Sequence, residues 1–184
     1  METPKHRIVG AATALGMAHV HHLPAAGVLV TVASAAVFSG GHFSPDLDNS
    51  TWFKRLDRWL PDEWLGGGGP LAHRGLLHWW GIPAVMWILA VHVAGFPGWI
   101  LLGAAYGWAS HVAGDFAFGR GGYGHGKGIP LLGWFCHVGV GFRANGWPEK
   151  TAGTIAMVAA VWFAVGLAIH GLPYQPHPVV LPWH

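Results

Sequence analysis

Of the 184 residues, 52% are hydrophobic and only 10% are charged, against roughly 25% charged in an ordinary globular domain. That balance argues against a freely soluble globule. A formal net charge of +2 without a long basic tract offers no groove for nucleic acid. The single cysteine, Cys136, excludes an internal disulfide, and its apolar neighbourhood suits a small buried residue better than a reactive thiol.

Taken in chain order, Lys5, His6 and Arg7 precede an apolar run over about 8–20 that lacks a cleavage pattern and is read as a retained first helix. Further apolar segments cover about 24–41, 76–94, 97–114 and 151–172. Each approaches the roughly 17–25 residues of a membrane-spanning helix. The piece 129–142 is shorter and Gly-rich, which fits a re-entrant or interfacial segment. Between 49 and 64, Trp52, Phe53, Leu56, Trp59 and Leu60 fall on one helical stripe away from Lys54, Arg55, Asp57 and Arg58, as in a helix lying at a bilayer interface. Gly66 to Gly69 then form a flexible joint.

The expected fold is therefore an all-α integral membrane protein with about five transmembrane helices, one interfacial helix and a re-entrant segment. It forms a single polytopic domain over 1–175, followed by a short tail over 176–184. All ten Lys/Arg and all eight Asp/Glu lie in the N-terminal tip, between Asp46 and Arg74, or between Asp115 and Lys150. Threading five crossings in order puts these three regions on one face, which the basic bias makes cytoplasmic. The expected location is a bacterial plasma membrane, the cell inner membrane.

Polar residues cluster in the same regions. Asp46 and Asp48 stand at i, i+2 in a turn and can supply oxygens to one ion or two. His73 and His78 bracket Arg74, whose planar fork suits a phosphate or carboxylate. His111 and Asp115, at i, i+4, share a helical face, either as two ligands or as a ligand and the carboxylate that orients it. Threading returns His6 to this face, beside His42. The stretch 119–128 lacks the order of a P-loop, but Arg120, His125 and Lys127 there could contact an anion. His137, in an apolar run, is a weaker candidate. His19, His21, His22, His170, His177 and His184 map to the opposite face.

The metal set is then His6, Asp46, Asp48, His73, His78, His111 and Asp115. A mixed nitrogen and oxygen shell suits one or two divalent ions, zinc first, then manganese or iron. Such a centre can generate hydroxide near neutral pH and hold a phosphoester, with Arg74, His111 and Asp115 as the catalytic group and Arg74, Arg120, His125 and Lys127 against the phosphate.

The order Pro45-Asp46-Leu47-Asp48, His73-Arg74-Gly75 with His78, and Ser110-His111 with Asp115, followed by Gly128-Ile129, resembles the YdjM-like, LexA-regulated, membrane-bound metal-dependent hydrolase family. The likeness runs from about Lys5 to Glu149 and departs from the family pattern at Leu77 and Phe118, where hydroxyl residues are usual. It implies a small membrane hydrolase whose site is drawn from His6, Asp46, Asp48, His73, Arg74, His78, His111 and Asp115. A looser analogy with metal-dependent phospholipases implies a lipid or lipid-linked phosphoester substrate. Two alternatives compete: a metal- or proton-coupled transporter, and a noncatalytic scaffold stabilised by a metal ion. Oligomeric state is open.

Overall fold

The computed structural model describes residues 3–49, 53, 55, 59, 75–118, 120–123, 129–132, 136–142 and 147–170. Among them are five α-helices: α1 (Thr3–Val20), α2 (Ala25–Phe38), α3 (Gly81–His92), α4 (Gly95–Phe118) and α5 (Trp147–His170). Two short 3-10 turns, Pro45–Asn49 and Leu76–His78, sit between α2 and α3. Strands β1 (Arg120–Tyr123), β2 (Ile129–Leu132) and β3 (Cys136–Val140) form an antiparallel sheet in the order β1-β3-β2. Phe142 N–H donates to the Ala117 carbonyl at 3.0 Å, which ties the end of β3 back to α4.

Helix α4 is the central element and packs against α1, α2 and α3, while α5 packs on α1. Proline fixes two helix entries. Pro24 is the N-cap of α2 at φ −64°, and Pro97 lies in the first turn of α4, where a missing N–H costs no helical bond. One apolar core joins Ala18, Leu23, Val28, Ala90 and Leu102, and a second, nearer the other end of α4, joins Trp108 and Val112 with Phe38, Leu77, Ile82 and Met86 against them.

The contact between α2 and α4 is close enough to involve backbone. A Cβ on Gly107 would run into the Ala35 carbonyl oxygen and lie 2.9 Å from Ala35 Cα. Polar groups in this seam are satisfied across it: Ser34 Oγ donates to the Ile100 carbonyl at 2.8 Å and Thr31 Oγ1 to that of Trp99 at 3.3 Å. The hydroxyls therefore carry little desolvation penalty although both residues are buried.

Several expectations are corrected here. Among the described residues no helix is long and apolar enough to cross a membrane. At 1.5 Å per residue, the 14 residues of α2 and the 12 of α3 reach only about 20 Å of a roughly 30 Å hydrocarbon layer. Helix α1 begins with Lys5, His6 and Arg7, α4 carries glycines with Ser110, His111 and Asp115, and α5 opens on Glu149 and Lys150. The helices coincide closely with the apolar segments, but the integral-membrane fold, the transmembrane labels and the membrane location do not stand. Nor is 129–142 a re-entrant helix: it contains β2 and β3. The expected interfacial helix over 49–64 falls mostly outside the described residues, as do Gly66 to Gly69 and the tail over 176–184.

The α2/α4 seam makes Gly107→Ala an overpacking change. It should destabilise the chain by about 1–3 kcal/mol, read as a lower denaturant midpoint. Gly153→Ala, where an added Cβ meets nothing within 4 Å, should leave stability unchanged or raise it slightly.

Candidate metal centre

Four separate segments converge at one end of the bundle. Helix α1 contributes His6 from its first turn, the first 3-10 turn contributes Asp46, the second contributes His78, and α4 contributes His111 and Asp115. His6 and His111 are each 1% exposed, and His78 and Asp115 are buried. Asp46, at 31% side-chain exposure, is the member that reaches solvent.

The distances are short. His78 Nε2 lies 3.2 Å from Asp115 Oδ2 and 3.6 Å from Asp46 Oδ1, and His111 Nε2 lies 3.5 Å from Asp115 Oδ2 and 3.7 Å from Asp46 Oδ2. The His6 ring stacks on that of His111 with centroids 4.0 Å apart and planes 19° from parallel, while His78 meets His111 edge-on at 5.4 Å. Two triads, His6/His111/Asp115 and Asp46/His78/His111, each offer three ligand atoms within 4.8 Å of one another. A buried His/Asp cluster able to hold a divalent ion is thus present.

Four of the five residues are held by local contacts. His111 Nδ1 is 2.9 Å from the Ser39 carbonyl. A carbonyl only accepts, so Nδ1 carries the proton and Nε2 presents its lone pair inward. The Trp108 indole N–H donates to the Leu77 carbonyl at 2.8 Å, pinning the turn that bears His78 against α4. Ser44 Oγ donates to the Gly41 carbonyl at 2.8 Å and accepts from the Asp46 N–H at 3.3 Å, which closes the turn before Asp46. His6 can reach the cluster because Gly10, one turn further along α1, lies directly against Ser39. A Cβ there would also meet the Ala35 carbonyl oxygen at 3.1 Å. Beside His6, Lys5 Nζ pairs with the fully buried Glu149 at 3.0 Å and joins the start of α1 to α5.

The electrostatics prepare the donors. Burial, reinforced by His111, lowers the His6 pKa to about 3, against the pull of Asp115 and Asp46, so its imidazole is neutral near pH 7. Burial alone would raise Asp46, but its interactions with His78 and His111 outweigh that and bring it down to about 2. It is therefore ionised across the physiological range. Among the described residues, His6 Nδ1 and His111 Nε2 are buried without a hydrogen-bond partner. Buried imidazole nitrogens in that condition carry a desolvation cost that an ion would relieve.

Of the residues expected from sequence, His6, Asp46, His78, His111 and Asp115 come together. Asp48 lies in the first 3-10 turn, and Arg120 begins β1, but their side chains fall outside the described residues. His73, Arg74, His125 and Lys127 also lie outside the described residues, and with them the expected phosphate contacts. His137 lies on β3. His42 is exposed and belongs to neither triad. At the far end of α1, His21 Nε2 bonds to Tyr106 Oη at 2.7 Å and His19 lies against Phe163, away from the cluster. Sequence reasoning missed the Ser39 carbonyl, because every residue has one and no side-chain pattern marks it. It also missed Lys5–Glu149, whose partners no local spacing connects.

No family model matches the chain, and no curated protein or solved structure matches it either. The resemblance to the YdjM-like family, resting on three short motifs, is accordingly withdrawn. Without a helix able to cross a membrane among the described residues, the membrane-embedded lipid phosphoesterase, the membrane transporter and the membrane scaffold fall with it. The same finding removes lipid and membrane as expected partners.

In chelator-treated protein, the lowered His6 value sets the sign of acid sensitivity. The folded state resists a proton that the unfolded state accepts near 6.5, so stability is full above that pH and declines as pH falls from 6.5 toward 3. Asp46 adds a decline of the same sign between 3.8 and about 2. Denaturant titrations between about pH 7.5 and 4.5 should show the first decline, and His6→Leu should flatten it.

Proposed function

We propose that this chain is a metal-dependent hydrolase whose centre holds one divalent ion between His6, Asp46, His78, His111 and Asp115. The observation that carries the reading is the 3.2–3.7 Å separation of the His78, His111, Asp46 and Asp115 donor atoms. Bonds of about 2.0–2.1 Å to a central zinc place tetrahedral ligands about 3.3 Å apart. One ion is favoured over two, because Ser39 occupies Nδ1 of His111 and leaves a single nitrogen common to both triads. Imidazole and carboxylate donors suit zinc first, then manganese or iron.

Four protein ligands around zinc describe a structural site, whereas a reactive one keeps a position open to water. Asp46, 31% exposed, is the member of the five past which water could reach an ion. A bound ion supplies Lewis acidity, which brings the pKa of a water molecule to about 7. Asp46, anionic and solvent-facing, can accept that water's hydrogen bond and orient it, while buried Asp115 balances charge without access to solvent.

The decisive measurement is metal content together with hydrolysis. After reconstitution with zinc, manganese or ferrous iron, the chain should carry one equivalent of metal. It should cleave at least one member of a panel of chromogenic carboxylate and phosphate esters, and chelation should abolish that turnover. Asp115→Asn should lower metal affinity by at least about 100-fold, beyond the 10–100-fold typical of an outer-shell change. A full equivalent of metal without turnover across the panel would reduce the site to a structural clamp. Failure to bind any of the three would overturn the metal reading itself.

A further inference from the structure

Among the described residues, helix α5 packs on α1 with one side. Phe163 approaches His19 and lies 3.6 Å from where a Cβ on Gly16 would sit, which marks the covered side. On the other side, Thr151, Thr154, Val158, Val161 and Val165 recur at spacings of three and four and are all exposed, as are the flanking Ile155 and Trp162. Spacing of this kind is the seam of paired helices. Thr154 donates its hydroxyl to the Lys150 carbonyl at 2.9 Å, so that hydroxyl is satisfied within its own helix. No formal charge interrupts α5 after Lys150.

The size of the stripe bears on what covers it. Ile155, Val158, Val161 and Trp162 are 58–76% exposed, with Val165 and Met157 about half exposed. Together they leave an apolar patch on the order of 600–700 Å² open, beyond the usual largest patch of a monomer and near the roughly 800 Å² per partner of a stable interface.

We propose that α5 is a homodimer interface in which two copies of this helix pair antiparallel about Val158. In that register Val158 meets its own symmetry mate, Thr154 and Ile155 meet Val161 and Trp162, and Thr151 meets Val165. This is an isologous contact closed by a twofold axis. The antiparallel sense follows from charge. Glu149 is buried against Lys5, so among the described residues exposed Lys150 is the charge left at the helix start. Crossing at Val158 brings Lys150 beside Gly166, near the carbonyl end of the partner helix, where a cation is favoured.

Sedimentation of the full chain should show a dimer at about 100 μM, and Val158→Glu or Trp162→Glu should each weaken association at least tenfold, or about 1.4 kcal/mol. Both side chains are exposed in the single copy, so the circular dichroism spectrum should stay at the parent value, while the thermal midpoint should lose the concentration dependence that a dimer confers. In a Cys136→Ser background, mild oxidation of Val158→Cys should yield a covalent dimer, whereas Leu29→Cys, more exposed still on α2, should not. A parent chain monomeric at that concentration would overturn the proposal. So would association indifferent to both glutamate variants, or a monomer whose α5 stripe binds detergent or vesicles of neutral phospholipid instead.

Discussion

The hydrogen bond from His111 Nδ1 to the Ser39 carbonyl, 2.9 Å long, is the constraint on which the centre depends. It joins α4 to the end of α2, selects one imidazole tautomer, and points the remaining lone pair at Asp46 and Asp115. It also requires α1 to approach closely, because Ser39 is pressed against Gly10. Without that approach His6 would not stack on His111. One carbonyl thus fixes the relation of three helices, and the α2/α4 seam at Ala35 and Gly107 supplies the rigidity that keeps it in place.

The elements were legible because apolar segments and their Gly/Pro punctuation mark helices regardless of what surrounds them. Pro24, Pro97 and the Ser39-Gly40-Gly41 stop fall where α2 and α4 begin or end. His111 and Asp115 could be paired from i, i+4 spacing alone. His78 joined them only by topology, since its 3-10 turn has no periodicity of its own and relies on the Trp108 indole for position. Residues 129–142 differ from the expected re-entrant segment for a related reason: short strands beside glycine carry no clear signal of either period.

The membrane expectation failed on length and dilution. Overall apolarity reports how much hydrocarbon a chain contains, not whether any one helix gathers enough to cross. Here α2 and α3 are apolar and short, while α4 is long but interrupted by glycine and by the polar residues of the centre itself. Small side chains also let these helices approach closely, so much of the apolar content is alanine in helix contacts, such as Ala14, Ala18, Ala35, Ala104 and Ala105.

The five converging residues also bear on how the chain could be held together. With a single cysteine it has no covalent cross-link of its own. An ion gripped by His6 and Asp115 would close a loop of roughly a hundred residues, comparable in chain-entropy terms to a disulfide worth about 4–5 kcal/mol. In that sense the centre is also a reversible staple: removing the ion would return to the unfolded chain much of the freedom a reducing agent returns to an extracellular domain.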